Sequence, residues 1–223
     1  MAEYTWSFSS LKQYTNCPKQ YYEIRVLKNY TVKENEAMMY GKEVHTALEN
    51  YVRDGVELAK NYQRFKSMVD ALINIKGEKI CEHEMALTYN KEPCEFHDEN
   101  RWVRGIADLV IIDGADAYVV DYKTGSNKYP DPKQLKLMAI MMFTHFPEVQ
   151  KIKAGLLFVM KNSFLTEEYH RKDMDKLWKS FEQPLKRLET SYDTDEWKAN
   201  PTPLCGWCSV DTCEFYKPRF FPS

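Results

Sequence analysis

The chain has 223 residues, 31 Lys and Arg against 33 Asp and Glu, and a formal charge of −2. That length suits one domain with at most a small appendage, and allows about 70% of the unfolded surface to be buried. With 43% hydrophobic and 14% aromatic residues the chain is neither disordered nor collagen-like; its balanced charge excludes a histone-like polycation but leaves a local basic surface open.

At the N-terminus, Met1 to Trp6 offers neither a basic region nor an apolar run, so no secretory signal is expected. No stretch approaches the roughly 18 apolar residues that a membrane span needs. The expected location is therefore the cytoplasm (the host's, if a phage encodes the chain), and the six cysteines read as thiols or ligands before disulfides. Two short helices are expected between Ser7 and Leu27, divided at Cys17-Pro18. A third runs from about Glu36 to Asp54, with Val44, Ala47, Leu48, Tyr51 and Val52 as its apolar stripe and Gly55 as its stop. A fourth covers Glu57 to Ile75. Strands follow at about His83–Tyr89, Trp102–Ile112 and Ala117–Lys123. Next come a helix from Pro132 to Phe146 with Asp131 as its cap, strands at Lys153–Met160 and Phe164–His170, and a helix at Met174–Tyr192. Helices around a cluster of strands give an α/β or α+β class with one mixed sheet.

The densest chemistry lies between Arg104 and Gly125. Two apolar strands flank the turn-type segment Asp113-Gly114-Ala115-Asp116. If that segment is the loop, Ile112 faces Ala117, Asp108 stands opposite Asp121, and Lys123 shares a face with Asp121. Opposed residues have Cβ atoms about 4.5–5.5 Å apart, and like charges there are destabilising. A divalent cation bridging the two carboxylates removes that conflict, and hard oxygen ligands suit Mg²⁺ or Mn²⁺. A solvated edge hairpin is the bland alternative for the two acids alone. On the preceding helix, His45 and Glu49 share a face at i, i+4.

A helix His, then a strand Asp, then Asp-x-Lys in that order resembles the PD-(D/E)XK nuclease superfamily, and in particular its RecB-like branch, over Cys17 to Cys213. The resemblance implies a restriction-endonuclease-like core and a Mg²⁺- or Mn²⁺-dependent deoxyribonuclease, with His45, Asp108, Asp121 and the Tyr122 carbonyl as metal ligands. Asp108, Asp121 and Lys123 are the implied catalytic residues. Gln134, on the following helix, is implied to contact DNA or support the site; equally, it stands at the third helical position after Asp131 and suits a capping box. Two departures from the branch are Ala107 before Asp108 and Met138 where a Tyr is usual. Glu84 is a candidate outer acid and Glu49 a supporting one.

Cys205, Cys208 and Cys213 form C-x₂-C-x₄-C in a Pro-rich segment, a spacing that suggests metal ligation with Cys17 as the candidate fourth ligand. All-thiolate ligation suits an iron–sulfur cluster or zinc, and spacing does not decide between them. The layout resembles that of AddB and the CRISPR-associated exonucleases, which implies a [4Fe–4S] cluster, with Zn²⁺ or no cluster as the lesser reading. The expected organisation is a single nuclease domain, 1–223, in which 1–30 and 200–223 form a clasp around the cluster. DNA is the implied partner, contacted by Lys19, Tyr21, Arg104 and Lys133, with Tyr22 and Tyr129 as further stacking candidates. The expected activity is exonucleolytic, at single-stranded or duplex ends, in recombination, repair or phage and CRISPR-related processing. The rival is a silent or partner-dependent DNA-binding module; a homo-oligomer or a recombination or adaptation partner protein stays open.

Overall fold

The computed structural model describes residues 4–32, 34–128 and 130–217; Tyr129 lies outside them. These residues divide into two compact units, one of 4–5 with 35–180 and one of 6–34 with 181–217.

The larger unit is built on a six-stranded sheet of order β2-β1-β3-β4-β5-β6, comprising β1 (Glu78–Thr88), β2 (Pro93–Cys94), β3 (Arg101–Asp113), β4 (Asp116–Lys123), β5 (Lys151–Phe158) and β6 (Ser163–His170). Every pair is antiparallel except β4 with β5, which are joined through α5 (Lys133–His145) as a parallel pair requires. β3 and β4 close a two-residue turn, and the ladder pairs Ile112 with Ala117 through to Leu109 with Val120, the register expected from the sequence. The sheet is mixed and flanked by helices, which is the expected fold class.

Alternation along β4 divides the core. Val120 and Tyr122 join Leu109 and Ile111 against Val44 and Leu48 of α3 (Glu36–Asp54) and Val69 and Leu72 of α4 (Lys66–Ile73). Asp121 points the other way, towards α5. Asn35 caps α3 by accepting from the Met38 N–H, and Gly55, at φ +68°, ends it in the left-handed conformation expected of a stop. The α5 helix is apolar all round, with Leu135 and Leu137–Phe143 buried, as befits a helix enclosed by its own unit. The expected helix from Glu57 to Ile75 is shorter than its pattern suggested. Leu58 and Tyr62 reach the core from an irregular segment, a single turn of 3₁₀ helix follows at Gln63–Phe65, and regular helix begins at Lys66.

The smaller unit holds α1 (Phe8–Asn16), α2 (Pro18–Tyr21), a π-helical turn (Tyr22–Val26), the greater part of α6 (Met174–Thr194) and a 3₁₀ turn at Pro203–Trp207. Its helices break at Cys17-Pro18 as expected. The core is aromatic: Trp197 stacks on Tyr22 at 4.8 Å and on Tyr21 at 5.9 Å, and Tyr192 meets it edge-on. Among the described residues no helix is long and apolar enough to cross a membrane.

Candidate active site and cysteine pocket

The β3–β4 ladder stops one step short of Asp108 and Asp121, and the two carboxylates occupy the place where main-chain pairing lapses. Asp108 takes over part of that pairing. Its Oδ2 accepts the Tyr122 N–H at 2.6 Å, a charge-assisted bond that holds the carboxylate against the neighbouring strand. Asp108 is 8% exposed and Asp121 6%. From α3, His45 brings Nδ1 to 3.4 Å from Asp108 Oδ2, and its ring stands edge-to-face on Tyr122. On the other carboxylate, Gln134 Nε2 donates to Asp121 Oδ1 at 2.5 Å, and Lys123 Nζ lies 2.5 Å from Oδ2. The Lys123 ammonium thus pairs with the buried oxygen that Gln134 leaves open.

The electrostatics follow from burial. Desolvation raises the Asp121 pKa, and the charge of Asp108 raises it further, against the opposing pull of Lys123 and His45. Burial alone would lower His45, but its hydrogen bond to Asp108 and the charges of Asp108 and Asp121 outweigh it and leave the imidazole raised.

A third acid belongs here, and it is not the Glu84 suggested by the sequence. Glu84 is exposed, whereas Glu82 joins His45 and Asp108 in a group whose ligand atoms all lie within 4.8 Å of one another. Cys81 pairs with Leu109 and His83 with Ala107, so Glu82 falls opposite Asp108. Its backbone is left-handed at φ +48°, a conformation that costs a non-glycine residue about 1 kcal/mol or more. Burial, then the charges of Asp108 and Glu49, push its carboxyl up to about 7. Glu49 itself is ion-paired with Arg53. Strict strand alternation cannot reveal the distortion at Glu82; the long-range register of β1 on β3 does.

Three buried or half-buried acids around one imidazole fit a hard divalent cation. His45, Asp108, Asp121, Tyr122, Lys123 and Gln134 all converge as the sequence suggested. The capping-box alternative for Gln134 does not hold: its amide goes to Asp121, while the Asp131 carboxylate accepts the Lys133 N–H. Of the expected DNA contacts, Lys133 is exposed beside Gln134, and Arg104 lies on β3 with its guanidinium over Phe96. Tyr21 is corrected: at 2% exposure, hydrogen-bonded to Tyr192 and stacked on Trp197, it belongs to a core and is closed to bases.

In the smaller unit, Cys17, Cys205, Cys208 and Cys213 line one small pocket together with Lys19 and Gln20. Three of the sulfurs accept N–H donors. The Asn200 amide donates to Cys17 at 3.4 Å, the Thr202 amide to Cys205 at 3.3 Å and the Gln20 side chain to Cys208 at 3.4 Å. Thiol sulfur is a weak acceptor, so converging N–H donors suit thiolate ligands. The cysteines do not form a three-sulfur group within 4.8 Å among the described residues.

Comparison with known proteins agrees with this geometry. A family profile for the PD-(D/E)XK nuclease superfamily matches residues 5–213. No curated protein sequence matches the chain. Among solved structures, a Eubacterium rectale protein described as a candidate exonuclease superposes with a TM-score of 0.51 at 11% identity, over 98% of this chain and 90% of that one. The protein SSO0001 superposes with a TM-score of 0.50 at 12% identity, over 97% and 89%. At such identities the structural likeness speaks for the fold alone. With the family profile spanning nearly the whole chain and the His, Asp and Asp-x-Lys side chains gathered around one buried point, the chain belongs to the PD-(D/E)XK nuclease superfamily.

Proposed function

We propose that the chain is a Mg²⁺- or Mn²⁺-dependent deoxyribonuclease that hydrolyses phosphodiesters at DNA ends. The observation that carries this reading is the paired placement of Asp108 and Asp121, the first fixed by the Tyr122 N–H and the second by Gln134 on one oxygen and Lys123 on the other. His45, Glu82, Asp108, Asp121 and the Tyr122 carbonyl would hold the cation, which supplies charge stabilisation at the phosphate and lowers the pKa of water.

The protein's own groups do the remaining work. Gln134 holds Asp121 Oδ1 and so determines which oxygen is left for other partners. Lys123 keeps an ammonium beside that second oxygen, where it orients the attacking water and offsets charge on the phosphate. His45 and Tyr122 brace Asp108 from two elements, so its carboxylate does not need to reorganise during the reaction. Exposed Lys133 sits one residue from Gln134, at the start of α5, where a backbone phosphate meets both its charge and the helix N-terminus.

For the cysteine pocket we propose a [4Fe–4S] cluster on Cys17, Cys205, Cys208 and Cys213. Supporting it are the shared pocket and the N–H donors on three sulfurs. Its role would be structural, tying residue 17 to residues 205–213 within one unit. End processing in recombination, repair or phage and CRISPR-related metabolism is the setting suggested by resemblance.

The test is incubation of end-labelled linear DNA and closed circular DNA with Mn²⁺ or Mg²⁺, against Asp121→Ala and an EDTA control. Metal-dependent loss of linear DNA that the variant lacks is the expected result. Cleavage that survives either EDTA or the substitution would place the chemistry elsewhere, and DNA binding without cleavage would favour a silent module.

A further inference from the structure

We infer that Arg64 forms a phosphate-binding subsite that grips the DNA backbone beside the cleavage point; this rests on the nuclease reading and adds a positioning residue to it. Arg64 lies in the 3₁₀ turn before α4, and its side chain is exposed yet held in place. Nη2 donates to the Tyr40 hydroxyl at 2.9 Å and to the Met160 sulfur at 3.3 Å, and the guanidinium lies 4.9 Å over the Phe65 ring. All three partners are neutral. Among the described residues no carboxylate pairs with it, so the group is oriented while its charge is left uncompensated. A surface arginine gains little from ordering its long side chain unless something binds it. A planar fork stacked on an aromatic ring, with donors to spare, is the arrangement that meets phosphate oxygens two at a time.

The anchors of Arg64 tie it to the active site. Tyr40 precedes Gly41, which passes so close to Thr124 that a Cβ would lie 3.1 Å from the Thr124 hydroxyl, and Thr124 follows Lys123. Met160 comes two residues after Phe158, the partner of Lys123 in the parallel β4–β5 ladder. Arg64 is thus fastened to the segment that leaves β5 beside Lys123 and to the first turns of α3, where Gly41 lies against Thr124, at the carboxyl ends of parallel strands where α/β sheets bind their ligands. The surroundings suit a nucleic-acid strand: Met160, which touches the guanidinium, is 38% exposed and offers a soft face to sugars and bases, and the adjoining Lys161 is exposed and has no acidic partner among the described residues.

The experiment uses the full chain carrying Asp121→Asn, so that DNA binds without being cut, and titrates a labelled oligonucleotide at several salt concentrations. Adding Arg64→Gln should weaken binding about tenfold and reduce the slope of log affinity against log salt by about one. In the active enzyme the same change should raise KM more than it lowers kcat. A merely structural arginine would shift thermal stability without moving the salt slope. Arg64→Met keeps the stem packed on Phe65 and gives the same readout should the Gln variant not fold. An unchanged slope and affinity in a folded variant, with wild type still cutting DNA, overturns the subsite and leaves the nuclease reading standing. If the Asp121→Asn protein binds no DNA and wild type cuts none, both fall together.

Discussion

Asp108 and Asp121 sit in strands whose neighbours are wholly buried, whereas Cys17 lies at the break between two short helices, Cys205, Cys208 and Cys213 lie in turns, and all four are partly exposed. In the first region the sheet and α5 exist without the site: Leu109, Val110, Val119 and Val120 would pack whatever stood at 108 and 121. The acids are a burden on that core, since burial and mutual repulsion push Asp121 and Glu82 towards protonation. In the second region little regular structure surrounds the ligands, and what converges on them is a set of amide donors. The difference teaches which way support runs. In the acid site the fold holds the ligands in place; in the cysteine pocket the ligands, once they bind, would hold the fold.

Activity and stability should therefore separate between the two regions. The largest effect belongs to the acid site: Asp121→Ala or Lys123→Ala should lower cleavage of linear DNA by about 10³-fold or more while the thermal transition and any cluster absorbance persist. Removing the cysteines should do the reverse. In Cys205→Ser with Cys208→Ser, absorbance near ~400 nm should vanish and the melting temperature should fall by about 5–10 °C, on the basis of about 2–4 °C per kcal/mol at this size. Cleavage per folded molecule should stay within a few-fold of wild type. If the cysteine variant instead loses cleavage with its melting temperature unchanged, the proposed division between the regions fails.

What could be read beforehand follows the same line. The hairpin was legible because register between adjacent strands is local: the turn at Gly114-Ala115 and the alternation of Val119, Val120 and Tyr122 suffice to set Asp108 against Asp121. The α3 helix was legible from its stripe and from Gly55. Glu82 was not, because its position depends on β1 meeting β3 across the excursion through β2, and on a left-handed residue inside a strand. Tyr21 and Gln134 illustrate a second limit. An aromatic beside a basic residue reads as a stacking surface until Trp197, far away in sequence, covers it. A Gln in the first turn of a helix satisfies a cap or a distant carboxylate equally well until the sheet is in place.

An intermediate effect should come from Gln134. Its amide donates to Asp121 Oδ1, so Gln134→Ala frees that oxygen to rotate without removing any charge. Cleavage should fall about tenfold, well short of the loss at Asp121 itself, and Gln134→Glu should fall further by placing a fourth acid beside the others. Steady-state assays at fixed Mn²⁺ decide this. An alanine variant as active as wild type would mean that Lys123 alone positions Asp121.

The smallest effect tests the claim that the acid site burdens its core, and it needs only the metal-free protein. Glu82 titrates ordinarily near 4.5 and is pushed up to about 7, by burial first and then by the charges of Asp108 and Glu49. Asp121 and His45 are also raised. A group whose folded pKa exceeds its unfolded one binds protons more tightly when folded, so the stability of unfolding decreases with pH throughout that window. All three groups therefore favour the folded state at low pH and lose that contribution as pH rises through their folded values. His83, which burial holds below its ordinary value, acts oppositely, disfavouring the folded state as pH falls below about 6.5. In EDTA the melting temperature should accordingly drop by a few degrees between pH 5.5 and 8, more in wild type than in Glu82→Gln, which lacks one of the groups that titrate in that window. Mn²⁺ should restore more at pH 8 than at pH 5.5, because the cation replaces the protons that the acids have released. A wild-type curve no steeper than that of Glu82→Gln would show that Glu82 is solvated in the folded protein, and would remove it from the cation site.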